Sequence, residues 1–333
     1  MPRFRQQILR VLRHGPVTFW QLLPQQDGDL AQFAASLEAL AAEGLMERRP
    51  DGKLALTAAG QAAVARWLPR QEWECPHCQG KGMLPRGLFT RVLEQWERLA
   101  AARPRPDPTF DQGYVASRDA VGRVIFMYRR ADLEGRRLLF LGDDDLTSLA
   151  AALTGLPREV TVLEIDARLV EFLNTTATRE GWSNYHAQVY DVQEALPPSC
   201  RQAFDVAVTD PVETRRGFLL FLSRCSEALA EAGSALYFGL TRLETGLPKW
   251  RLWLVSLLRM GFVVTDYLPD FHRYHLTNTV FVPEEYPAAC PFLPEEPPAT
   301  PWYASALVRL EAVRRPRPLY RGTVSLGKAL YRD

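Results

Sequence analysis

The side chains best equipped for chemistry in this chain are carboxylates that recur at the ends of short apolar runs. Gly142-Asp143-Asp144-Asp145 follows one run, and Glu164-Ile165-Asp166 follows the next. Asp191 closes Val189-Tyr190-Asp191-Val192, and Asp210 opens Asp210-Pro211-Val212-Glu213-Thr214. In a nucleotide-binding sheet a glycine after the first strand lets backbone approach the ligand, and an acidic side chain about 20 residues on accepts hydrogen bonds from both ribose hydroxyls. Gly142 and Glu164 have that spacing. Asp191, with Val192 beside it, is placed to receive an adenine amino group. An aspartate before a helix ordinarily caps it, and one at a strand end ordinarily closes a turn. Three adjacent carboxylates, however, repel one another and destabilise a fold unless something cationic offsets them. The set predicts an adenosine-type ligand with a cationic partner.

The charge also selects among donors. S-adenosylmethionine would bring its own carboxylate to the first loop, where Asp143, Asp144 and Asp145 would repel it by about 1–4 kcal/mol per close pair. Decarboxylated S-adenosylmethionine lacks that group and ends in an ammonium, so the same aspartates attract it.

The elements that must position these residues read as βα repeats. Apolar runs at 138–141, 160–163, 185–189, 204–208, 235–238 and 262–264 alternate with helical stretches at 146–153, 167–179, 216–230 and 248–260. This alternation predicts a doubly wound, mainly parallel sheet with its ligands outside the carboxyl ends of the strands. A last strand at 278–282 follows without room for a crossover helix and is expected to pair antiparallel. Helices are expected at 88–102 and 117–130, the second capped by Ser117. Asp111-Gln112-Gly113-Tyr114, before that helix, offers a polar wall for an acceptor, and Glu213 adds a carboxylate after the fourth strand. Phe271-His272-Arg273-Tyr274-His275 reads as aromatic packing at the rim.

Upstream, residues 1–70 show helical periodicity, an Asp51-Gly52 hairpin and a closing helix from Ala58, a pattern that resembles a winged helix. The helix that would read DNA, 29–43, carries Asp29, Glu38 and Glu43 and no Lys or Arg. It would repel phosphates, so the module is expected to serve packing or dimerisation. Residues 71–116 form a connector holding Cys75-Pro76-His77-Cys78. A closed zinc site needs four ligands and no second CxxC occurs, so no metal is expected. Residues 117–283 make the catalytic domain. Residues 284–333 are Pro-rich and polar, and read as a flexible tail or an arm over the site.

The 333 residues carry 40 basic and 39 acidic side chains, a net charge of +1, so no global field recruits nucleic acid or an anionic membrane. No apolar run reaches the roughly 18 residues of a membrane span, and the start lacks a signal-peptide core. A cytoplasmic protein is expected. Five scattered cysteines argue against a disulfide framework. Leu, Ala, Arg and Pro-rich usage fits heat adaptation.

Leu141-Gly142-Asp143-Asp144-Asp145 resembles the GGGDG loop of aminopropyltransferases such as spermidine synthase, with its middle glycines replaced. Leu163-Glu164-Ile165-Asp166 is similar to their ribose-binding strand end, and Asp210-Pro211 to their catalytic Asp-Pro. The Gly-Asp-Asp-Asp form, the N-terminal module, the Cys75–Cys78 knuckle, Phe110-Asp111-Gln112 and the Pro-rich tail together resemble the branched-chain polyamine synthase family over nearly the whole chain. The Asp210-Pro211-Val212-Glu213 segment departs from the Asp-Pro-Pro form. The resemblance implies a Rossmann-like, methyltransferase-like fold. It also implies transfer of aminopropyl groups from decarboxylated S-adenosylmethionine to the N4 amine of spermidine, with release of methylthioadenosine, no cofactor, and a homodimer. By the same resemblance Asp144, Asp145 and Asp210 are catalytic. Gly142, Asp143, Glu164, Asp166, Asp191 and Val192 bind the donor, and Asp111, Gln112, Tyr114 and Glu213 the acceptor. Two other readings are an S-adenosylmethionine-dependent N-methyltransferase, because Asp210-Pro211 also fits part of an Asp-Pro-Pro-aromatic motif, and a metabolite-sensing DNA-binding regulator.

Overall fold

The computed structural model describes residues 3–67, 75, 77, 78, 80–274, 291–294 and 302–332. The chain divides into two compact units.

The first comprises Met1–Pro76, Thr241–Gly246 and Tyr274–Ala304. Its elements are α1 (Arg3–Leu12), α2 (Phe19–Leu22), α3 (Leu30–Ala42), a β1 (Met46–Arg48) and β2 (Leu54–Leu56) hairpin, and α4 (Ala58–Val64). Thr18 and Asp29 each close a capping box, on α2 with Gln21 and on α3 with Gln32, so two helix starts are fixed by local sequence. The α1 residues Ile8, Leu9 and Leu12 and the α3 residues Phe33, Leu37 and Leu40 bury one stripe each. Gly60 of α4 lies so close to the Leu45 carbonyl that a Cβ would sit 1.9 Å from it, which only glycine permits.

The second unit, His77–Leu240, Leu247–Arg273 and Ser305–Asp333, carries the central sheet. After α5 (Leu88–Ala100) and α6 (Ser117–Arg129) come β3 (Arg137–Leu141), α7 (Thr147–Leu153), β4 (Glu159–Glu164), α8 (Ala167–Glu180), β5 (Tyr185–Val189), β6 (Val206–Thr209) and α9 (Arg215–Ala228). They are followed by β7 (Ala235–Leu240), α10 (Leu247–Met260), β8 (Phe262–Arg273) and β9 (Ala304–Ala312). The strand order is β5-β4-β3-β6-β7-β9-β8; β3 to β7 run parallel and β9 runs antiparallel to β7. This is the expected α/β, Rossmann-like and methyltransferase-like sheet. Alternate strand residues feed two cores. Leu138, Phe140, Val160, Val162 and Val208 pack on one face, and Leu139, Leu141, Leu163, Ala207 and Leu236 on the other, as a sheet covered on both sides requires. Among the described residues no helix is long and apolar enough to cross a membrane.

Three sequence readings need correction. First, the segment from 284 is not a flexible tail throughout: Ala304–Ala312 is a buried strand between β7 and β8. Arg309 and Glu311 disguise it as polar chain, yet Arg309 is neutralised by Asp132 at 2.7 Å and Glu311 at 3.0 Å. Second, β8 continues to Arg273, so Phe271 and His272 are buried strand residues and not rim. Pro269 signals a loop, but β8 is the edge strand of the sheet, where a missing N–H costs little. Third, α6 begins after Ala116 without a side-chain cap, and Ser117 Oγ donates to Glu97 Oε1 at 2.7 Å. The strand expected at 278–282 lies outside the described residues; the antiparallel strand that the structure shows is β9, paired with β7.

Residues 319–332 strap the second face of the unit. Val324 donates to Gln193 O at 2.7 Å, Arg224 Nη2 to Gly322 O at 2.7 Å and Thr214 Oγ1 to Leu330 O at 2.8 Å, and Leu330 is buried.

Candidate active site

A cleft opens at the carboxyl ends of β3, β4, β5 and β6. Gly142, Asp144, Glu164, Val192, Asp210, Asp111 and Gln112 line it, together with Phe110, Ile165, Tyr190, Val212, Phe221 and Tyr331, which the spacing did not single out. Asp143, Asp145, Asp166, Asp191, Tyr114 and Glu213 are outside this lining.

The loop after β3 explains the division. Gly142, at φ 72°, turns the chain, and its N–H donates to Leu163 O at 2.8 Å. Leu146 starts α7 in the left-handed region at φ 53°, an arrangement that costs about 1–3 kcal/mol. Trp96 Nε1 holds it by donating to the Leu146 carbonyl at 2.9 Å. In this tight path successive aspartates point different ways.

Asp143 turns into the protein. Its carboxyl accepts from Ser148 N at 3.1 Å and from Ser148 Oγ, whose partner is Tyr185 OH at 2.6 Å. Burial pushes its pKa up to about 8, so at neutral pH it is largely protonated and aimed away from the cleft. The donor-amine role expected of Asp143 is therefore corrected. Asp145 also faces inward, accepting from Val115 N at 3.0 Å and from Arg123 Nη2 at 3.4 Å. Burial raises its pKa to about 7, with Arg123 opposing the rise and Asp210 adding to it. Its direct contact with an acceptor is corrected in the same way.

Asp144 is the member of the triplet that lines the cleft. It accepts from Gly113 N at 2.9 Å. Desolvation first, then the charges of Asp145, Glu164 and Asp210, push its pKa well above the usual carboxylate range.

Glu164, at the end of β4, accepts from Asp143 N at 2.8 Å through Oε2 and from Asp166 N at 2.9 Å through Oε1. Two backbone donors lock its orientation and leave lone pairs for two ligand hydroxyls. Burial raises its pKa. Asp166, by contrast, caps α8 through Arg168 N at 2.9 Å, pairs with the Arg168 side chain at 2.6 Å and accepts from Gln112 Nε2 at 3.1 Å. The hydrogen bond from Arg168 holds its pKa down, and its donor-binding assignment is corrected to a capping one.

Asp210 lines the cleft at the end of β6, beside Gly239 of β7. A Cβ at 239 would lie 2.1 Å from Asp210 Oδ1 and 3.2 Å from Ser305 Oγ. Asp191 closes its own turn, accepting from Gln193 N at 2.8 Å, between the lining residues Tyr190 and Val192. Gln112 lines the cleft while accepting from Asp107 N at 2.7 Å. Tyr114 gives its hydroxyl to Pro104 O and its ring to Arg103, whose guanidinium carbon is 3.2 Å from the ring centre. Glu213 offers its carbonyl to Lys249 Nζ at 2.9 Å. Tyr114 and Glu213, expected on the acceptor side, are outside the lining of this cleft. Among the described residues no three His, Cys, Asp or Glu side chains gather as a metal site.

The arrangement is a cleft with one fixed carboxylate on its β4 side and two, Asp144 and Asp210, on the β3 and β6 side. Burying several like-charged groups raises their pKa values, and a polycation entering the cleft relieves that cost. Missed residues left no local signal: Tyr331 sits in a polar segment, and Arg123 reads as an ordinary helix residue.

Residues 91–333 match the family model described as the branched-chain polyamine synthase A C-terminal domain. The chain is 43% identical over 245 residues to the N(4)-bis(aminopropyl)spermidine synthase of Thermus thermophilus, covering 73% of this chain and 70% of the relative. It is 34% identical over 318 residues to that of Thermococcus kodakarensis, covering 94% and 89%. The crystal structure of the branched-chain polyamine synthase from Thermus thermophilus in complex with N4-aminopropylspermidine and 5'-methylthioadenosine superposes with a TM-score of 0.85 at 36% identity, over 99% of this chain and 92% of that one. A C9 mutein of the same enzyme, with the same two ligands, gives 0.87 at 38% identity over the same shares.

Proposed function

The chain belongs to the branched-chain polyamine synthase family, and from that premise we propose that it moves aminopropyl groups from decarboxylated S-adenosylmethionine to the N4 nitrogen of spermidine. The first transfer gives N4-aminopropylspermidine and the second the quaternary N4-bis(aminopropyl)spermidine, each releasing methylthioadenosine. The observation that carries this reading is the shared cleft of Glu164, Asp144 and Asp210, which offers a ribose acceptor on one side and paired negative charge on the other.

In the reaction Glu164 accepts from the ribose hydroxyls, and Ile165, Tyr190 and Val192 flank the adenine, with Asp191 next to them for its amino group. Asp144 and Asp210 hold the acceptor, with Asp111 and Gln112 at the same wall. The N4 lone pair attacks the methylene carbon next to the sulfonium. A C–N bond forms, the C–S bond breaks, and its electron pair neutralises sulfur. Before attack the secondary ammonium must lose its proton. Asp144, whose pKa burial and the neighbouring carboxylates push well above the usual range, is a stronger base than an ordinary carboxylate and is placed to take it. Asp210 keeps the lone pair in line. In the second transfer the tertiary ammonium again gives up its proton before attack, but the quaternary product has none left to lose, and the two carboxylates stabilise the new fixed cation.

We also infer a homodimer and a cytoplasmic setting. Leu247, Leu254, Val255 and Leu258 form an exposed apolar face on α10, a surface that self-association would cover. Light scattering tests the dimer. Mass spectrometry of products after incubation with spermidine and the decarboxylated donor tests the function: additions of one and two aminopropyl groups are expected, and a methylated product or none overturns it.

A further inference from the structure

A buried polar chain runs behind the acceptor wall, and no step above uses it. Arg123 of α6 is 3% exposed and donates from Nε to His272 Nε2 at 3.0 Å, from Nη1 to Thr147 Oγ1 at 3.4 Å and from Nη2 to Asp145 Oδ2 at 3.4 Å. A guanidinium has only donors. His272 Nε2 must therefore accept, which puts the imidazole proton on Nδ1, 3.0 Å from Ser305 Oγ. His272 is fully buried, and burial together with the charges of Arg123 and Lys81 pulls its pKa well below the usual range, so the ring stays neutral. Ser305 Oγ abuts Gly239 from β9, on the side where Asp210 Oδ1 also abuts it.

The chain thus has one end on Asp145 and the other beside Asp210. Asp145 is 2% exposed and faces Arg123 from α6, Arg103 from the segment after α5, Asp210 from the β6 end and Asp143 and Asp144 from its own loop. Three of those five neighbours are acids. A buried carboxylate among acids keeps its charge only while its cation stays in place, and an arginine side chain without a fixed Nε partner has several rotamers in which to leave.

We propose that Arg123, anchored by His272 and Ser305, is the positioning residue that favours the ionised form of Asp145 behind Asp144 and Asp210, so that Asp145 adds negative charge behind the acceptor wall. The proposal deepens the aminopropyl-transfer reading and rests on it. Removing the cation or its anchor leaves Asp145 protonated to higher pH and weakens the hold on a cationic acceptor, while the ribose side of the cleft is untouched.

The test is the pH profile of kcat/KM for spermidine at saturating donor, in wild type and in Arg123→Gln, Arg123→Lys, His272→Leu and His272→Gln. Glutamine at 272 keeps a carbonyl acceptor for Arg123 Nε, whereas leucine does not. The acid limb is expected to move up by about 1–3 pH units in Arg123→Gln and in the same direction in His272→Leu. It is expected to return toward the wild-type position in Arg123→Lys and His272→Gln. Methylthioadenosine affinity, read by calorimetry, is expected to stay within twofold, which also reports that the variants are folded. Should Arg123→Gln not fold, the two His272 variants decide alone. An unmoved limb in His272→Leu, or a uniform loss of kcat with the profile unchanged, overturns the proposal. Absence of aminopropylated product from wild type would instead overturn the functional reading.

Discussion

Gly239→Ala tests the geometry of the acceptor wall most directly. The new Cβ would lie 2.1 Å from Asp210 Oδ1, and contacts below 3.0 Å are not tolerated, so the carboxylate must retreat by at least 0.9 Å. Ser305 Oγ, 3.2 Å from the same Cβ, blocks the methyl group from yielding instead. A misplacement of about 1 Å in a positioning group costs up to about 100-fold in rate, and a 10- to 100-fold fall in kcat is expected. Initial rates of methylthioadenosine release at saturating substrates measure it, with a thermal melt to confirm folding. Methylthioadenosine affinity should hold, because Glu164 lies on the other side of the cleft. A folded alanine variant turning over within twofold of wild type would refute the claim that Asp210 needs this position.

Asp143→Asn should leave turnover within about threefold, because the carboxyl is already largely neutral and bonded to Ser148, whereas Asp144→Asn should reduce kcat at least 100-fold; equal losses in steady-state assays would contradict the opposite orientations. Glu164→Gln should weaken methylthioadenosine binding about 10- to 100-fold by calorimetry, the worth of a hydrogen bond to a charged acceptor; unchanged affinity would remove the ribose role. Asp143 and Asp145 titrate near 8 and near 7 in the folded protein against about 4 when unfolded, so the folded state holds the extra protons and ligand-free stability should fall as pH rises from 5.5 to 8. Thermal midpoints check this, and a rising midpoint across that window would contradict the buried-acid assignment. Deleting residues 327–333 removes Tyr331 from the cleft and the buried Leu330; a several-fold rise in substrate KM is expected from progress curves, and an unchanged KM would make the segment a spectator.

The strand ends that carry the site were readable because the distance from Gly142 to Glu164 is set by one βα repeat, and that repeat also fixes where Asp191 and Asp210 fall. Which way each side chain points was not readable. Asp143 and Asp144 are neighbours of the same type, yet one caps α7 through Ser148 and the other lines the cleft, a choice made by the left-handed turn at Leu146 and by Trp96 from α5. The charged residues of β9 concealed a core strand for a related reason: Asp132, the partner that makes Arg309 acceptable there, lies 177 residues away. Tyr331 enters the cleft only because the bonds to Gln193, Arg224 and Thr214 fold its segment back. Contacts of that range leave no trace in local periodicity.

The placement of β9 between β7 and β8 carries a cost during biogenesis. On the ribosome both flanking strands emerge well before the one that must join them, so for a time β7 offers an unmated row of N–H and C=O groups to any passing chain. Polypeptides released prematurely, or clipped within residues 275–303, would keep that adhesive margin permanently open. The sheet is therefore complete only once nine late residues, Ala304–Ala312, have arrived.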